Sequence, residues 1–242
     1  MSQINQPIKL IIFDLDRTLF DWDEAQQLAR NKVNELFAGY LNPAQFWTIY
    51  NELHEDLFQS FLDRKLSLNE YRLYRYLKPL QRLGVNDESL ATRLNECFLK
   101  NVLQSTLFCA GAEDVLNYCQ NLDVKLILLT NGPVDGQYQK IQRLSLDHWF
   151  NAYYISEEKQ VAKPESAAFL NICQDFAIQP QECLMVGDDF EIDILPAAAL
   201  GFKIFWVGNQ NIMQRAGLKK YRLIELIPYL MQLNGAPNPS EI

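Results

Sequence analysis

Histidine and cysteine are both scarce in this chain, and their scarcity argues against several kinds of site. Among 242 residues there are only two histidines, His54 and His148. A mechanism that needs a cluster of imidazole groups is therefore not expected. The five cysteines are odd in number, scattered and without a Cys-x-x-Cys pair, which argues against a zinc site. We therefore expect reduced, buried thiols, as in a cytoplasmic protein.

Basic residues and long apolar runs are also in short supply. Lysine and arginine number 22 against 30 acidic residues, a formal net charge of -8, which disfavours a nucleic-acid duplex or an anionic membrane as the main partner. A small anionic ligand needs only a local positive site and is compatible with this charge. No apolar run approaches the roughly 20 residues of a membrane span. The N-terminus lacks the cationic and apolar segments of a secretory signal, so none is expected.

Three familiar motifs are absent as well. The chain contains no Gly-x-x-x-x-Gly-Lys-[Ser/Thr] loop, no Gly-x-Gly-x-x-Gly turn and no Gly-x-Ser-x-Gly elbow, so it lacks the sequence marks of P-loop, dinucleotide-binding and serine-hydrolase chemistry. Hydrophobic residues make up 48% of the chain, which is ordinary for a globular protein with a substantial core. The length predicts one sizeable domain, or one domain with a smaller insertion.

The first clear pattern is an apolar, β-branched and aromatic run, Ile8–Phe13, followed at once by Asp14 and Asp16. Such a run predicts a buried parallel strand. Residues two apart in extended chain point to the same side, so both carboxylates are expected at the carboxyl end of the strand. A hard cation such as Mg²⁺ would offset two like charges held this close. The alternative is a strand followed by an ordinary acidic turn.

The next eighty residues change rhythm. Between 23 and 103 apolar residues recur three and four apart and no convincing strand is found, which predicts a helical block. Ser67-x-x-Glu70 predicts a capping box at the start of one helix, and Gly84 predicts its end. The block follows the first strand directly, so we interpret it as an all-helical domain, residues 21–104, inserted into the domain that precedes and follows it.

From Gly111 onward predicted strands and helices alternate, which indicates a parallel, doubly wound, Rossmann-like sheet. The predicted α/β core comprises residues 1–20 and 105–242, and residues 235–242 are predicted to be a mobile polar tail. The remaining predicted strands are 124–129, 152–155, 183–186 and 203–207, and the predicted helices are 112–122, 134–144, 164–176, 193–200 and 223–233.

Three more polar signals lie at or near the end of a predicted strand or at the start of the helix after it. Thr130-Asn131-Gly132 supplies a hydroxyl and amides that suit an anion, or simply begins a helix. Lys163-Pro164 offers a cation at a loop-to-helix junction, although a lone lysine is usually solvated. Gly187-Asp188-Asp189, with Asp193 beyond it, offers carboxylates for a cation or the acidic start of a helix. Each signal is weak alone, but together with Asp14 and Asp16 they supply every part of a phosphoryl-transfer site.

With these four motifs in order, the sequence resembles the haloacid dehalogenase superfamily of hydrolases over nearly its whole length. The insertion after the first motif resembles the family's helical cap of the first type. A narrower similarity, carried by Ile155-Ser156-Glu157-Glu158 and Val161-Ala162-Lys163-Pro164, is to the pyrimidine-type 5′-nucleotidases. The resemblance implies an Mg²⁺-dependent hydrolase of phosphoric monoesters that forms an aspartyl-phosphate intermediate.

The resemblance also implies roles for single residues. Asp14 is the expected nucleophile, Asp16 the acid and base, and Lys163 the cation between Asp14 and the phosphate. Mg²⁺ is expected on Asp14, the backbone carbonyl of Asp16, and Asp188.

Further roles concern the phosphate and the residues behind the reacting groups. Thr130 and the Asn131 amide, with Lys163, are expected to bind phosphate oxygens. Thr18 is expected to brace the first motif, Asp193 to order Lys163 or the metal's waters, and Asp189 to join the metal shell or, as we favour, to cap the next helix.

The substrate stays open between several small phosphorylated metabolites. A nucleoside 5′-monophosphate is the first expectation, and a sugar phosphate or phosphoglycolate the next. A phosphomutase is an alternative. A haloacid dehalogenase is disfavoured because that branch typically lacks the second acid, present here as Asp16, and a non-catalytic binding protein because no reacting group is lost. Arg17, where the family often has glycine or asparagine, is expected to face solvent. The sequence does not determine the oligomeric state.

Overall fold

The computed structural model describes residues 7–37, 39, 41–208 and 217–233, and the predicted tail at 235–242 lies outside them. The chain divides into two compact units, one running to Asp21 and resuming at Thr106, the other spanning Trp22–Ser105. In chain order the described elements are β1 (Leu10–Phe13), α1 (Trp22–Glu35), α2 (Pro43–Leu62), α3 (Leu68–Arg82), α4 (Glu88–Leu103), α5 (Ala112–Gln120), β2 (Lys125–Thr130), α6 (Val134–Arg143), β3 (Ala152–Ile155), α7 (Ser156–Lys159), α8 (Ser166–Phe176), β4 (Cys183–Gly187), α9 (Leu195–Ala199), β5 (Lys203–Trp206) and α10 (Leu226–Leu233).

The first unit is built on a five-stranded sheet in the order β3-β2-β1-β4-β5, with every pair parallel. At the end of β1, Phe13 lies opposite Leu128 of β2 and Val186 of β4, so the residues that follow these three strands emerge side by side. From β1 the chain first adds β2 and β3 on one side of the sheet and then β4 and β5 on the other. The crevice at such a switch point is where open α/β sheets bind ligands. Asp14 is the first residue beyond β1.

The strands are continuously apolar because helices cover the sheet. All four residues of β1 are fully buried. Leu10 and Ile12 on one face of β1 share an apolar cluster with Phe169 and Ile172 of α8. This packing anchors the strand that carries the first motif.

Among its described residues, the second unit contains the four helices α1 to α4 and no strand. Asn42 caps the start of α2 and Asp87 that of α4. Ser67 and Glu70 form the predicted capping box at the start of α3, and Gly84 follows the end of α3 with φ +82°. The predicted fold class, a parallel doubly wound core with an inserted all-helical cap, is confirmed.

Three predicted helix starts differ from the structure. The helix predicted for 223–233 begins as a 3₁₀ turn at Leu223–Glu225, and α10 starts at Leu226. The helix predicted from residue 164 begins at Ser166, because the backbone of Lys163 is hydrogen-bonded to Asn131 and takes no part in helix bonding. The helix predicted for 193–200 is a π-helical turn at Phe190–Ile194 followed by α9. Asp189 caps that turn, so helical structure begins before Asp193.

None of the described helices combines the length and the apolar content that a bilayer-spanning segment requires.

Candidate active site

The carboxylate of Asp14 is buried at the switch point of the sheet. Its backbone N–H donates to Val186 O at 2.9 Å, which ties the end of β1 to β4. Its Oδ1 accepts from Lys163 Nζ at 2.6 Å. Burial raises the pKa of the Asp14 carboxyl to about 7, Lys163 opposes the rise, and Asp193 and Asp16 add to it. Asp14 is thus a strongly desolvated carboxyl group held in place by a cation.

Lys163 is buried between two carboxylates. Its Nζ donates to Asp14 Oδ1 at 2.6 Å and to Asp193 Oδ1 at 2.7 Å, and only 2% of its side chain is exposed. Burial lowers the pKa of Lys163, but the two carboxylates outweigh burial and hold it above its ordinary value. The predicted solvated alternative for this lysine is therefore wrong, and the ammonium group is a fixed positive charge beside Asp14.

Asp188 and Asp193 follow β4 and approach Asp14. One carboxylate oxygen from each of the three acids lies within 4.8 Å of the others. Burial, with Asp14 and Asp193, raises the pKa of Asp188 to about 8, against the effect of Arg17 and Lys163. A Cβ at Gly187 would lie 2.6 Å from Asp193 Cγ, so glycine at this position lets the Asp193 carboxylate pack against the strand.

The donor set fits a divalent cation such as Mg²⁺. Carboxylates converge in a buried place, and repulsion between them contributes to the raised pKa values of Asp14 and Asp188, the situation that a hard cation relieves. Asp193 already accepts from Lys163 Nζ and, through Oδ2, from the Asp189 backbone N–H at 3.2 Å. Asp14 and Asp188 are therefore the better placed metal ligands.

Asp189 and Arg17 lie at the edge of this cluster. Asp189 Oδ1 accepts from the backbone N–H groups of Glu191 at 2.8 Å and Ile192 at 3.0 Å, which is the helix cap favoured from the sequence. Arg17 is exposed and its φ is +65°, a left-handed conformation that glycine and asparagine adopt most easily. This backbone angle explains why the family often has glycine or asparagine at the position that Arg17 occupies here.

The Asp16 carboxylate is held by helix α6. Lys140 Nζ donates to Asp16 Oδ1 at 2.7 Å and to Oδ2 at 2.8 Å, and Gln137 Nε2 donates to Oδ2 at 3.3 Å. Lys140 is 4% exposed in its side chain, whereas Asp16 is 26% exposed. Asp16 is therefore partly open to solvent while its partner is buried.

Thr130 is the last residue of β2, the neighbour of β1 in the sheet, and Asn131 follows it. Thr130 is buried, and its Oγ1 accepts from Gln137 Nε2 at 2.5 Å. The Asn131 side chain is hydrogen-bonded to the backbone of Lys163 in both directions, at 2.7 and 3.0 Å. Because the side-chain amide is used in this way, contact between Asn131 and a bound anion would fall to its backbone N–H.

Thr18 is fully buried, but its Oγ1 has no hydrogen-bond partner among the described residues. The loop is closed instead by backbone bonds, in which the N–H groups of Leu19 and Phe20 donate to Leu15 O, both at 2.9 Å. Among the described residues, no hydrogen bond of the Thr18 side chain supports its predicted role in bracing the first motif.

The sequence interpretation missed two residues of this site, Gln137 and Lys140. A signal was present, because both lie on the stripe of α6 that includes the buried Ile141 and precedes the buried Leu144. Polar side chains at inward positions of a helix need partners. The partners, Asp16 and Thr130, became evident only in the folded chain.

Comparisons with known proteins agree with the motifs. A family model described as haloacid dehalogenase-like hydrolase matches residues 8–201. The chain is 32% identical to a glyceraldehyde 3-phosphate phosphatase of Pyrococcus abyssi over 200 residues, covering 82% of this chain and 81% of the relative. It is 27% identical to the pyrimidine 5′-nucleotidase YjjG of Escherichia coli over 231 residues, covering 92% and 96% of the two chains.

A solved structure shares the fold. The magnesium-bound HAD-hydrolase YfnB of Bacillus subtilis matches with a TM-score of 0.74 and 21% identity, covering 93% of this chain and 99% of that one. These matches confirm the resemblance inferred from the four motifs.

Proposed function

Because the chain belongs to the haloacid dehalogenase-like hydrolase family, we propose that it is an Mg²⁺-dependent phosphomonoesterase that acts on a small phosphorylated metabolite. The observation that carries the proposal is the arrangement of Asp16. Its carboxylate is linked through Gln137 to Thr130, a candidate phosphate ligand, and its charge acts on the buried Asp14. A nucleophile, a second acid and an anion-binding hydroxyl thus belong to one site.

In the first step an oxygen of Asp14 attacks phosphorus. The bond between phosphorus and the ester oxygen breaks, and Asp16 gives its proton to that oxygen, so an alcohol leaves. Lys163 stays charged and stabilises the Asp14 oxygen that it contacts. The product on the enzyme is an aspartyl phosphate.

In the second step water attacks the same phosphorus. Asp16 takes a proton from the water, the bond between phosphorus and the Asp14 oxygen breaks, and inorganic phosphate leaves. Asp14 is again a carboxylate and Asp16 again carries a proton. The sum is one phosphomonoester and one water converted to one alcohol and one phosphate.

Thr130 and the backbone N–H of Asn131 would bind non-reacting phosphoryl oxygens. Asp14, Asp188 and the Asp16 backbone carbonyl would hold Mg²⁺, which would supply positive charge to neutralise the phosphoryl oxygens. Asp193, bonded to Lys163 Nζ at 2.7 Å, would keep the ammonium directed at Asp14.

For the substrate we propose a nucleoside 5′-monophosphate first. The similarity to the pyrimidine 5′-nucleotidase of Escherichia coli over 92% of this chain supports this order. The similarity to a glyceraldehyde 3-phosphate phosphatase keeps sugar phosphates and related small phosphates as the next class. A cytoplasmic location stays a prediction from the scattered cysteines, all five of which are free thiols.

The test is phosphate release from a panel of phosphomonoesters, with Mg²⁺ and with EDTA. The panel contains nucleoside monophosphates, sugar phosphates, phosphoglycolate and p-nitrophenyl phosphate, and a 2-haloacid with halide detection covers dehalogenation. We expect release that requires Mg²⁺ and no halide. Halide release, or silence toward every phosphomonoester by folded protein, contradicts the proposal.

A further inference from the structure

The Asp16 carboxylate is held by two side chains from one turn of a single helix. Lys140 Nζ contacts both of its oxygens, at 2.7 and 2.8 Å, and Gln137 Nε2 contacts Oδ2 at 3.3 Å. Gln137 and Lys140 are three residues apart on α6, so they lie on the same face. Contacts to both oxygens define the plane of the carboxylate as well as its position.

Gln137 also determines where the Thr130 hydroxyl can point. Its Nε2 lies 2.5 Å from Thr130 Oγ1, 3.3 Å from Asp16 Oδ2 and 3.4 Å from Asn131 O. A backbone carbonyl and a carboxylate only accept, so the nitrogen of the amide must face this group of oxygens. Thr130 Oγ1 therefore accepts from Gln137 and keeps its own hydrogen to donate elsewhere, as a phosphate ligand must.

Local structure brings these side chains into the site. Gly132 has φ +149°, and a Cβ there would lie 3.2 Å from Gln137 Cδ, so glycine gives the glutamine room. The backbone N–H of Val134, the first residue of α6, donates to Glu157 Oε2 at 2.7 Å.

Lys140 is buried, and its Nζ lies 5.3 Å from the centre of the Phe20 ring. A buried lysine is costly without a counter-charge. Asp16 supplies one while it is ionised, and when one of its oxygens carries the proton, the other can still accept from Lys140 Nζ.

We propose that Gln137 and Lys140 are positioning residues for this hydrolase, which we call the α6 clamp: together they orient the Asp16 carboxylate, and Gln137 alone orients the Thr130 hydroxyl. The inference rests on the proposed phosphomonoesterase activity. Neither residue is proposed to contact the phosphoryl group, and both act through Asp16 or Thr130. The clamp joins the first two motifs through residues that belong to neither.

The clamp has a specific kinetic consequence, because only some leaving groups need a proton. An alkoxide leaves poorly unless Asp16 protonates it, whereas p-nitrophenolate leaves without a proton. Loss of the clamp should therefore slow the first step for alkyl phosphates far more than for p-nitrophenyl phosphate. General acid catalysis contributes about 10²–10⁴-fold, and partial misplacement should remove about 10- to 100-fold of it.

The experiment compares Lys140→Met with Arg143→Met, and Gln137→Leu with Gln139→Leu. Arg143 and Gln139 are exposed residues of the same helix and serve as matched controls. For each variant kcat/KM is measured with p-nitrophenyl phosphate and with the alkyl phosphate that the wild-type enzyme hydrolyses fastest. Since kcat/KM reports the steps up to loss of the first product, it includes the step in which Asp16 donates its proton and excludes the step in which Asp16 takes one from water.

We expect Lys140→Met to lower kcat/KM about 10- to 100-fold for the alkyl phosphate and less than about threefold for the aryl phosphate. Lys140→Arg, which keeps the donors, should recover part of the loss. Gln137→Leu should show the same imbalance and should also weaken inhibition by inorganic phosphate about fivefold or more, because Thr130 loses its orienting partner. Lys140→Met should leave phosphate inhibition nearly unchanged.

The two proposals fail in different ways. An active wild-type enzyme whose clamp variants lose aryl and alkyl turnover equally, or lose neither, overturns the clamp and leaves the phosphomonoesterase intact. A wild-type enzyme that is silent toward every phosphomonoester overturns both. If circular dichroism shows that Lys140→Met does not fold, the losses of kcat/KM for the alkyl and the aryl phosphate are compared in Gln137→Leu and Lys140→Arg instead.

Discussion

Asn131 and Lys163 hold each other by two hydrogen bonds, although 32 residues separate them. Asn131 Nδ2 donates to Lys163 O at 2.7 Å, and Lys163 N donates to Asn131 Oδ1 at 3.0 Å. The pair fastens the loop after β2 to the loop before α8. The lysine backbone is thereby fixed at the place from which its side chain reaches Asp14 and Asp193.

Asn131→Ala should therefore lower activity through Lys163. We expect kcat to fall about tenfold or more, since an ångström of misplacement is costly in a catalytic site, with roughly 1–2 kcal/mol of stability lost. Asn151→Ala is the matched control, because Asn151 accepts from Leu126 N at the other end of β2. It should cost similar stability and leave kcat unchanged; equal kcat values in the two variants would contradict the prediction.

Asp14→Asn should abolish turnover while the protein stays folded. The amide keeps the shape and an oxygen for Lys163 Nζ, now 2.6 Å from Asp14 Oδ1, but it is a poor nucleophile. We expect at least about a 10³-fold loss of phosphate release, a melting temperature within a few degrees of wild type, and retained Mg²⁺ stabilisation. Substantial turnover in this variant would show that Asp14 is not the nucleophile.

The metal-free protein should lose stability as the pH rises. Burial and neighbouring carboxylates raise the pKa of Asp14 to about 7 and of Asp188 to about 8, from 3.8. The folded state therefore binds protons more tightly than the unfolded state, and this contribution, complete below about pH 4, disappears as the pH rises through 7 to 8.

Mg²⁺ should offset that loss, because it competes with protons for the same carboxylates. The increase in melting temperature on adding Mg²⁺ should be larger near pH 8.5 than near pH 5.5, with EDTA samples as reference. Asp188→Asn should reduce the increase, whereas Asp147→Asn, at an exposed position, should not. An equal increase at both pH values would argue against metal binding by the buried acids.

In the helical unit, Arg75 and Asn95 should be strongly coupled. Arg75 is buried, its Nε and Nη2 donate to Asn95 Oδ1 at 3.1 and 2.6 Å, and its guanidinium lies over the rings of Tyr71, Tyr76 and Phe98. Asn95→Leu should cost about 3 kcal/mol by leaving a buried charge without this acceptor. Adding Arg75→Met should recover much of the loss in denaturant unfolding.

The exposed pair Arg82 and Glu52, whose charged atoms are 3.0 Å apart, is the control for that double-mutant cycle. Its coupling should be below about 1 kcal/mol because solvent screens exposed charges. Additive effects at Arg75 and Asn95 would refute the prediction.

Local patterns were sufficient for much of the fold. The apolar strand, predicted at Ile8–Phe13 and found at Leu10–Phe13, depends on near neighbours, as does the Ser67–Glu70 capping box, which is found where the sequence predicted it. Element ends were less predictable where a distant contact decides them. The predicted helix at 164 starts later because Asn131 engages the Lys163 backbone.

The sequence by itself determined the order of the motifs, the family and the residue types available for chemistry, because each motif is a short run read along the chain. Only the tertiary structure decided which side chains share partners. Gln137 and Lys140 are 121 and 124 residues from Asp16, and nothing in local spacing pairs them. Parallel pairing of β1 with β2 brings them together, since it aligns the strand ends and places the start of α6 beside the first motif.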